Sequence, residues 1–254
     1  MSEEHPGGAS LLVIRDLYKK FGGLVATDHF SLDVPRGELH AIIGPNGAGK
    51  TTLIALVAGQ LQPNSGKIWF DGADITTLSL PARAQRGLAR SYQITSVFLS
   101  FSVLENVLVA VQAREGSSFR FWRDAWRDPL LVESAHHALH LVGLEARDAV
   151  LAGELSHGER RQLEIAMSLA TRPRMLLLDE PLAGLGAQET EDLVRLIDGL
   201  KRRETILLVE HDIDVVFALA DRISVLVSGR SIACGSPGEI RSDPEVRRAY
   251  LGEA

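Results

Sequence analysis

The string Gly44-Pro45-Asn46-Gly47-Ala48-Gly49-Lys50-Thr51 constrains this chain more than any other part of it. It follows the apolar run 40–43 directly and leads into a stretch, 51–58, with helical patterning. Its glycines let the backbone curl until successive N–H groups face one point, a geometry that holds an anion. The helix behind it adds the positive end of its dipole. The pattern GxxxxGK[ST] between a buried strand and a helix reads as a phosphate loop. Lys50 reaches the β- and γ-phosphates of a nucleotide, and the Thr51 hydroxyl can ligate Mg2+. The residues expected to bind nucleotide here are Gly44, Pro45, Asn46, Gly47, Ala48, Gly49, Lys50, Thr51 and Thr52.

Such a loop needs a sheet to carry it. Runs at 11–14, 40–43, 67–70, 175–178, 205–209 and 223–227 are short and apolar, several of them the near-continuous kind expected of strands buried on both faces. Helical stretches at 51–58, 159–169, 189–202 and 213–219 separate them. Alternating strands and helices imply an α/β fold with a mainly parallel sheet. From about 101 to 155 the patterns are helical, and 130–141 has an apolar face interrupted by Glu133, His136 and His137. That stretch reads as a helical lobe inserted into the α/β domain. Each motif occurs once, so a single domain of this kind is expected.

The run Met175-Leu176-Leu177-Leu178 ends in Asp179-Glu180. Strand ends face the ligand in open α/β sheets, and consecutive side chains on a strand point opposite ways, so the two acids can have different tasks. In a P-loop NTPase the first sits at Mg2+, directly or through water, and the second polarises the attacking water as general base. Two solvated acids capping a strand are the plainer alternative.

The chain has 254 residues, a net charge of −6 and one cysteine, Cys234. The charge argues weakly against nucleic acid as the main partner. A lone cysteine allows no internal disulfide, suits a reducing compartment, and is expected as a small buried filler. The first ten residues, MSEEHPGGAS, do not form a signal peptide, and no apolar run is long enough to span a bilayer. A soluble protein is expected unless a partner holds it to a membrane.

Leu155-Ser156-His157-Gly158-Glu159, shortly before the acid pair, is similar to the LSGGQ signature of ABC-transporter nucleotide-binding subunits. The chain resembles that family over nearly its whole length. The resemblance implies a P-loop NTPase (RecA-like) core with an N-terminal β subdomain. It also implies one domain over 8–254, with the inserted helical subdomain at about 95–160. It assigns Gln93 to the Q-loop, as a contact to Mg2+ and water. It makes His211 the switch histidine and Phe21 the aromatic that stacks on adenine. It also implies that Ser156 and Gly158 close over the γ-phosphate of ATP held by a second subunit. On these assignments Glu180, His211 and Lys50 are catalytic, and Thr51, Gln93 and Asp179 serve the metal. Each has a plainer reading: Phe21 as core, Gln93 as a loop residue, His211 as structural, and Ser156 with Glu159 as a capping box.

Three positions depart from the family pattern. His157 stands where glycine is usual, Glu159 where glutamine is usual, and Gly186 where aspartate is common. Glu159 is expected to turn back toward its own helix end, since an acid facing phosphate would be repulsive. The strings Phe21-Gly22-Gly23-Leu24, Glu180-Pro181-Leu182-Ala183-Gly184-Leu185 and Ala249-Tyr250-Leu251-Gly252-Glu253 look most like the subunits serving high-affinity uptake of branched-chain and related amino acids. The implied cofactors are ATP and Mg2+. The implied partners are a second ATP-binding subunit, transmembrane permease subunits and, indirectly, a periplasmic solute-binding protein. No nucleic acid is implied. The implied location is the cytoplasmic face of the inner membrane. Phe119-Arg120-Phe121-Trp122-Arg123-Asp124-Ala125-Trp126-Arg127 reads as local packing in the helical lobe, with a permease or lipid-headgroup surface as the alternative. Two rivals remain open: a soluble ABC-type ATPase acting on a macromolecular complex, and a small-molecule kinase.

Overall fold

The computed structural model describes residues 10–90, 97–114 and 128–251. Gln93 and the segment 119–127 lie outside them. Two sheets organise the chain. The first is antiparallel, in the order β2 (Leu24–Pro35), β1 (Ser10–Phe21), β4 (Ser65–Phe70), β5 (Ala73–Asp74). The second has the order β10 (Arg230–Gly235), β9 (Arg222–Val227), β3 (Leu39–Ile43), β8 (Thr205–Val209), β7 (Met175–Asp179), β6 (Leu88–Arg90). It is parallel apart from the β9–β10 pair.

The central strands β3, β7 and β8 are buried at every position because both faces are covered. Residues alternate between two cores. Leu39, Ala41 and Ile43 of β3, Leu176 and Leu178 of β7, and Ile206 and Leu208 of β8 face the core shared with the helical layer. Ile42, Met175, Leu177, Leu207 and Val209 face the core shared with the antiparallel sheet and α1 (Lys50–Ala58). Asp179 continues the 175/177 face, so the period-2 pleat turns it toward the α1 side.

A short helix, α2 (Leu80–Gln85), holds α1 from below. Its Arg83, only 1% exposed, donates to the carbonyls of Leu56, Val57, Leu78 and Thr76 at 2.7–3.0 Å. The guanidinium thereby caps the negative end of α1. Burial pushes its pKa down to about 10, so it stays charged near neutrality. The helical layer contains α3 (Val103–Arg114), α4 (Pro129–Val142) and α5 (His157–Ala170), which pack on one another. The helical patterns expected between 101 and 155 are present among the described residues. The chain then runs through α6 (Ala187–Leu200), α7 (Ile213–Leu219) and α8 (Pro237–Ser242).

One expectation is overturned. Cys234 is no buried filler: it is exposed on the edge strand β10. Arg222 Nη2 lies 3.7 Å from its Sγ. Hydrogen bonding with the buried His40, outweighing desolvation and aided by Ser224 and Arg222, brings the thiol down to about 6.

Candidate nucleotide site

Residues 44–49 turn from the end of β3 into α1. Gly44 and Gly49 are required by their neighbours. A Cβ on Gly44 would lie 2.1 Å from the Leu226 carbonyl oxygen, and one on Gly49, at φ +102°, 2.2 Å from that of Ala26. The loop is locked from both sides, Gly229 N–H donating to the Ala48 carbonyl at 2.8 Å and Asp28 N–H to that of Gly229 at 2.9 Å. Gly49 is the N-cap of α1 and provides no side-chain cap, so the first-turn N–H groups of α1 point out of the helix end. Asn46, Gly47 and Thr51 are exposed there, and Thr52 is half-buried.

Lys50 is buried, with Nζ donating to the carbonyls of Gly44 at 2.7 Å and Pro45 at 3.2 Å. Burial holds its pKa below the usual lysine value, against the opposing fields of Glu180, Asp179 and Glu210. One ammonium and three carboxylates therefore share this end of the sheet.

Phe21 ends β1, paired with Leu24 across the hairpin, and is 46% exposed. The same hairpin carries Ala26, which touches Gly49, so the β1–β2 turn stands beside the phosphate loop. Phe21 is not core; its ring is covered on one side by Lys19 Nζ at 5.2 Å.

The two acids differ in their surroundings, Asp179 ending β7 and Glu180 lying just beyond it. Asp179 is buried, with Oδ2 accepting from Arg90 Nη2 at 2.8 Å. Its Oδ1 has no hydrogen-bond partner. A buried carboxylate oxygen without a donor fits a cation or its water, on the sheet face that packs α1 and hence Thr51. The residues present fit Mg2+ for that reason. Glu180 leaves the strand through a left-handed turn, φ +48°, its N–H donating to the Val209 carbonyl at 2.8 Å. That conformation is costly for a non-glycine residue.

His211 lies one residue beyond Glu210, which follows β8, and is exposed. Glu210, fully buried, accepts from Leu182 N–H at 2.9 Å and from His211 N–H at 3.1 Å. Burial raises its carboxyl above the usual range, and those two backbone bonds oppose the shift. Glu210 thus ties the strand carrying His211 to the loop that follows Glu180. Sequence reading passed over Glu210 and Arg90. Glu210 sits next to His211, a signal that was available; nothing in the sequence marks Arg90.

Ser156 is the N-cap of α5. Its Oγ accepts from Glu159 N–H at 3.2 Å, and Glu159 Oε2 accepts from Ser156 N–H at 2.8 Å. Glu159 turns back to its own helix end, as expected, and is held there by Arg147 at 3.1 Å. The His157 ring lies over Gly184, 3.6 Å from where a Cβ would stand. The cleft at this helix tip is lined by Ser156, Gly158, Glu159, Gln162, Glu189, Asp192 and Leu193, and by no residue of the phosphate loop.

Fold and site together define a P-loop ATPase cassette. A family model described as ABC transporter matches residues 27–183, and one described as branched-chain amino acid ATP-binding cassette transporter matches residues 230–254. The chain belongs to the ABC transporter family and is one of its ATPase subunits. It is 40% identical to the high-affinity branched-chain amino acid transport ATP-binding protein BraF of Pseudomonas aeruginosa, over 96% of this chain and 98% of that one. It is 38% identical to LivG of Escherichia coli K12, which carries the same description, over the same shares. The lipopolysaccharide export system ATP-binding protein LptB of Escherichia coli K12 is 37% identical, over 95% of this chain and 97% of that one. Among solved structures, the ADP conformation of MJ1267, an ATP-binding cassette of an ABC transporter, superposes with a TM-score of 0.85 at 32% identity, over 96% of this chain and 99% of that one.

Proposed function

We propose that this chain powers a membrane importer of a small polar solute, branched-chain or related amino acids, by hydrolysing ATP at a site completed by a second ATPase subunit. The similarity to BraF and LivG and the branched-chain match at 230–254 support import of that solute class. The resemblance to LptB, an export protein, is slightly lower, and the C-terminal match favours the importer reading. The observation that supports a two-subunit site is that the cleft at the α5 tip, with Ser156 and Gly158 in its wall, is lined by no residue of the same chain's phosphate loop.

In this reading adenine stacks on Phe21, and the phosphates lie on the N–H groups of 44–51 and on Lys50. Thr51, Asp179 and Gln93 would hold Mg2+, which would supply positive charge beside the phosphates. Glu180 accepts a proton from the attacking water. His211, steadied through Glu210, keeps that water and the γ-phosphate in line. Ser156 and Gly158 of the partner copy seal the γ-phosphate in an isologous two-fold arrangement. Loss of that phosphate removes the shared ligand and lets the pair reopen. A permease segment fits the apolar groove of about 190 Å3 between β6 and α5, where Leu80, Leu88 and Met167 line the wall. Docking there would hold the subunit at the cytoplasmic face of the membrane. Among the described residues no helix is long and apolar enough to cross one.

The test is Glu180→Gln with MgATP, read by light scattering. A stable dimer that forms with ATP and not with ADP supports the reading. A monomer at saturating ATP overturns it.

A further inference from the structure

The tip of α5 is built to receive an anion, and an anion of this chain already sits on it. Gly158 N–H donates outside its own helix, to Glu189 Oε1 on the first turn of α6, at 2.9 Å. The other oxygen, Oε2, accepts from Gly186 N–H, the N-cap of α6, at 3.2 Å. One carboxylate thus bridges two helix ends. The contact depends on Gly158 having no side chain: a Cβ there would lie 3.0–3.1 Å from Cβ, Cγ and Cδ of Glu189. The bonds from Gly158 first, then Gly186, hold the Glu189 carboxyl below its usual range. Capping α6 alone would need only the bond to Gly186.

We infer that Glu189 is an internal competitor for the γ-phosphate, occupying Gly158 N–H in the separated subunit and leaving only when a triphosphate bound by a second copy arrives. This rests on the reading that Ser156 and Gly158 receive the partner's nucleotide. One N–H cannot serve two anions at full strength, and a carboxylate beside a γ-phosphate is a like-charge contact at short range. The γ-phosphate prevails because it carries more charge and more acceptor oxygens than the carboxylate, and takes over the Ser156 hydroxyl that also acts on Glu189. A diphosphate has no γ-oxygens to offer, so Glu189 stays. The carboxylate therefore sharpens discrimination between ATP and ADP at the moment of closure. Its return to Gly158 assists reopening once phosphate is lost. Because Glu189 also holds Gly186, at the end of the loop that begins after Glu180, displacement at one signature alters the loop beside the same chain's general base. Gly186, where aspartate is common, leaves that loop end dependent on Glu189.

The experiment compares Glu180→Gln with Glu180→Gln/Glu189→Gln, the second change keeping shape and an acceptor oxygen while removing charge. Light scattering gives the ATP and ADP concentrations for half-maximal dimer formation. A fluorescent ATP analogue at dilute protein gives nucleotide affinity of the monomer. The expected result is an ATP midpoint about tenfold lower in the double variant, the fold-change of one charge-assisted hydrogen bond no longer to be displaced. Dimer in ADP and an unchanged monomer affinity should accompany it. A midpoint that is unmoved or higher overturns the role of Glu189 while leaving the two-subunit site standing. Failure of Glu180→Gln alone to dimerise in ATP overturns both.

Discussion

Arg90→Met should cost the folded protein about 4 kcal/mol. Arg90 is 9% exposed in its side chain and Asp179 0%, with Nη2 and Oδ2 2.8 Å apart. The second oxygen of Asp179 has no partner to share the load. Removing the cation leaves a buried carboxylate without its hydrogen-bonded partner and only the field of Lys50, shared with Glu180 and Glu210, to offset it, which costs about 3–5 kcal/mol where such pairs are broken on one side. The same change at an exposed pair would cost about 1 kcal/mol or less. Methionine matches the arginine stem in bulk, so packing loss adds little. Against a typical total of about 5–15 kcal/mol, the loss is large enough to read in urea denaturation with an unchanged m-value. MgATP should stabilise the variant more than the parent, because a cation near Asp179 restores the missing charge. A loss below about 1 kcal/mol, or equal stabilisation of both proteins by MgATP, would refute the electrostatic account of Arg90 and Asp179.

Arg83→Met should also destabilise by about 4 kcal/mol in urea, four carbonyls, two buried and two partly so, each losing a donor worth about 1 kcal/mol. A lysine replacement should recover only part, since one ammonium cannot reproduce the planar fork. Cys234 should be alkylated by iodoacetamide with a rate that rises to a plateau through a midpoint near pH 6, set by its lowered pKa. A midpoint above pH 8 would mean that His40, Ser224 and Arg222 do not act on the thiolate.

What the residues disclosed in advance follows their environment. The strand 205–209 and the helix 213–219 match the structure at both ends, because one is buried on both faces and the other opens on the Asp212 N-cap. The phosphate loop was legible because its glycines answer to steric demands within a few residues and across to β9 and β2. The antiparallel sheet was legible in part, the runs 11–14 and 67–70 falling within β1 and β4. β1 continues past its apolar start to Phe21, with Arg15, Asp16, Lys19 and Lys20 interrupting the apolar signal. β2 was overlooked, and its pairing with β1 has register shifts near the left-handed residues Asp16 and His29, which erase a simple period-2 signal. Cys234 was misjudged because an apolar-looking strand does not announce that it lies at a sheet edge. The carboxylates that organise the site from behind, Glu210 and Glu189, were missed for a related reason. Their partners are backbone N–H groups of Leu182 and Gly158, 28 and 31 residues away in sequence.

The most direct measurement mixes two disabled proteins. Lys50→Ala has a crippled phosphate loop and an intact α5 tip; Ser156→Arg has the reverse. If each nucleotide is gripped by one chain and sealed by the other, both should be nearly inactive alone. Their equimolar mixture should recover about a quarter of wild-type ATPase activity, since half the dimers then hold one sound site of two. A mixture no more active than its parts, beside wild-type turnover that stays constant per chain on dilution to the monomer, would contradict the account.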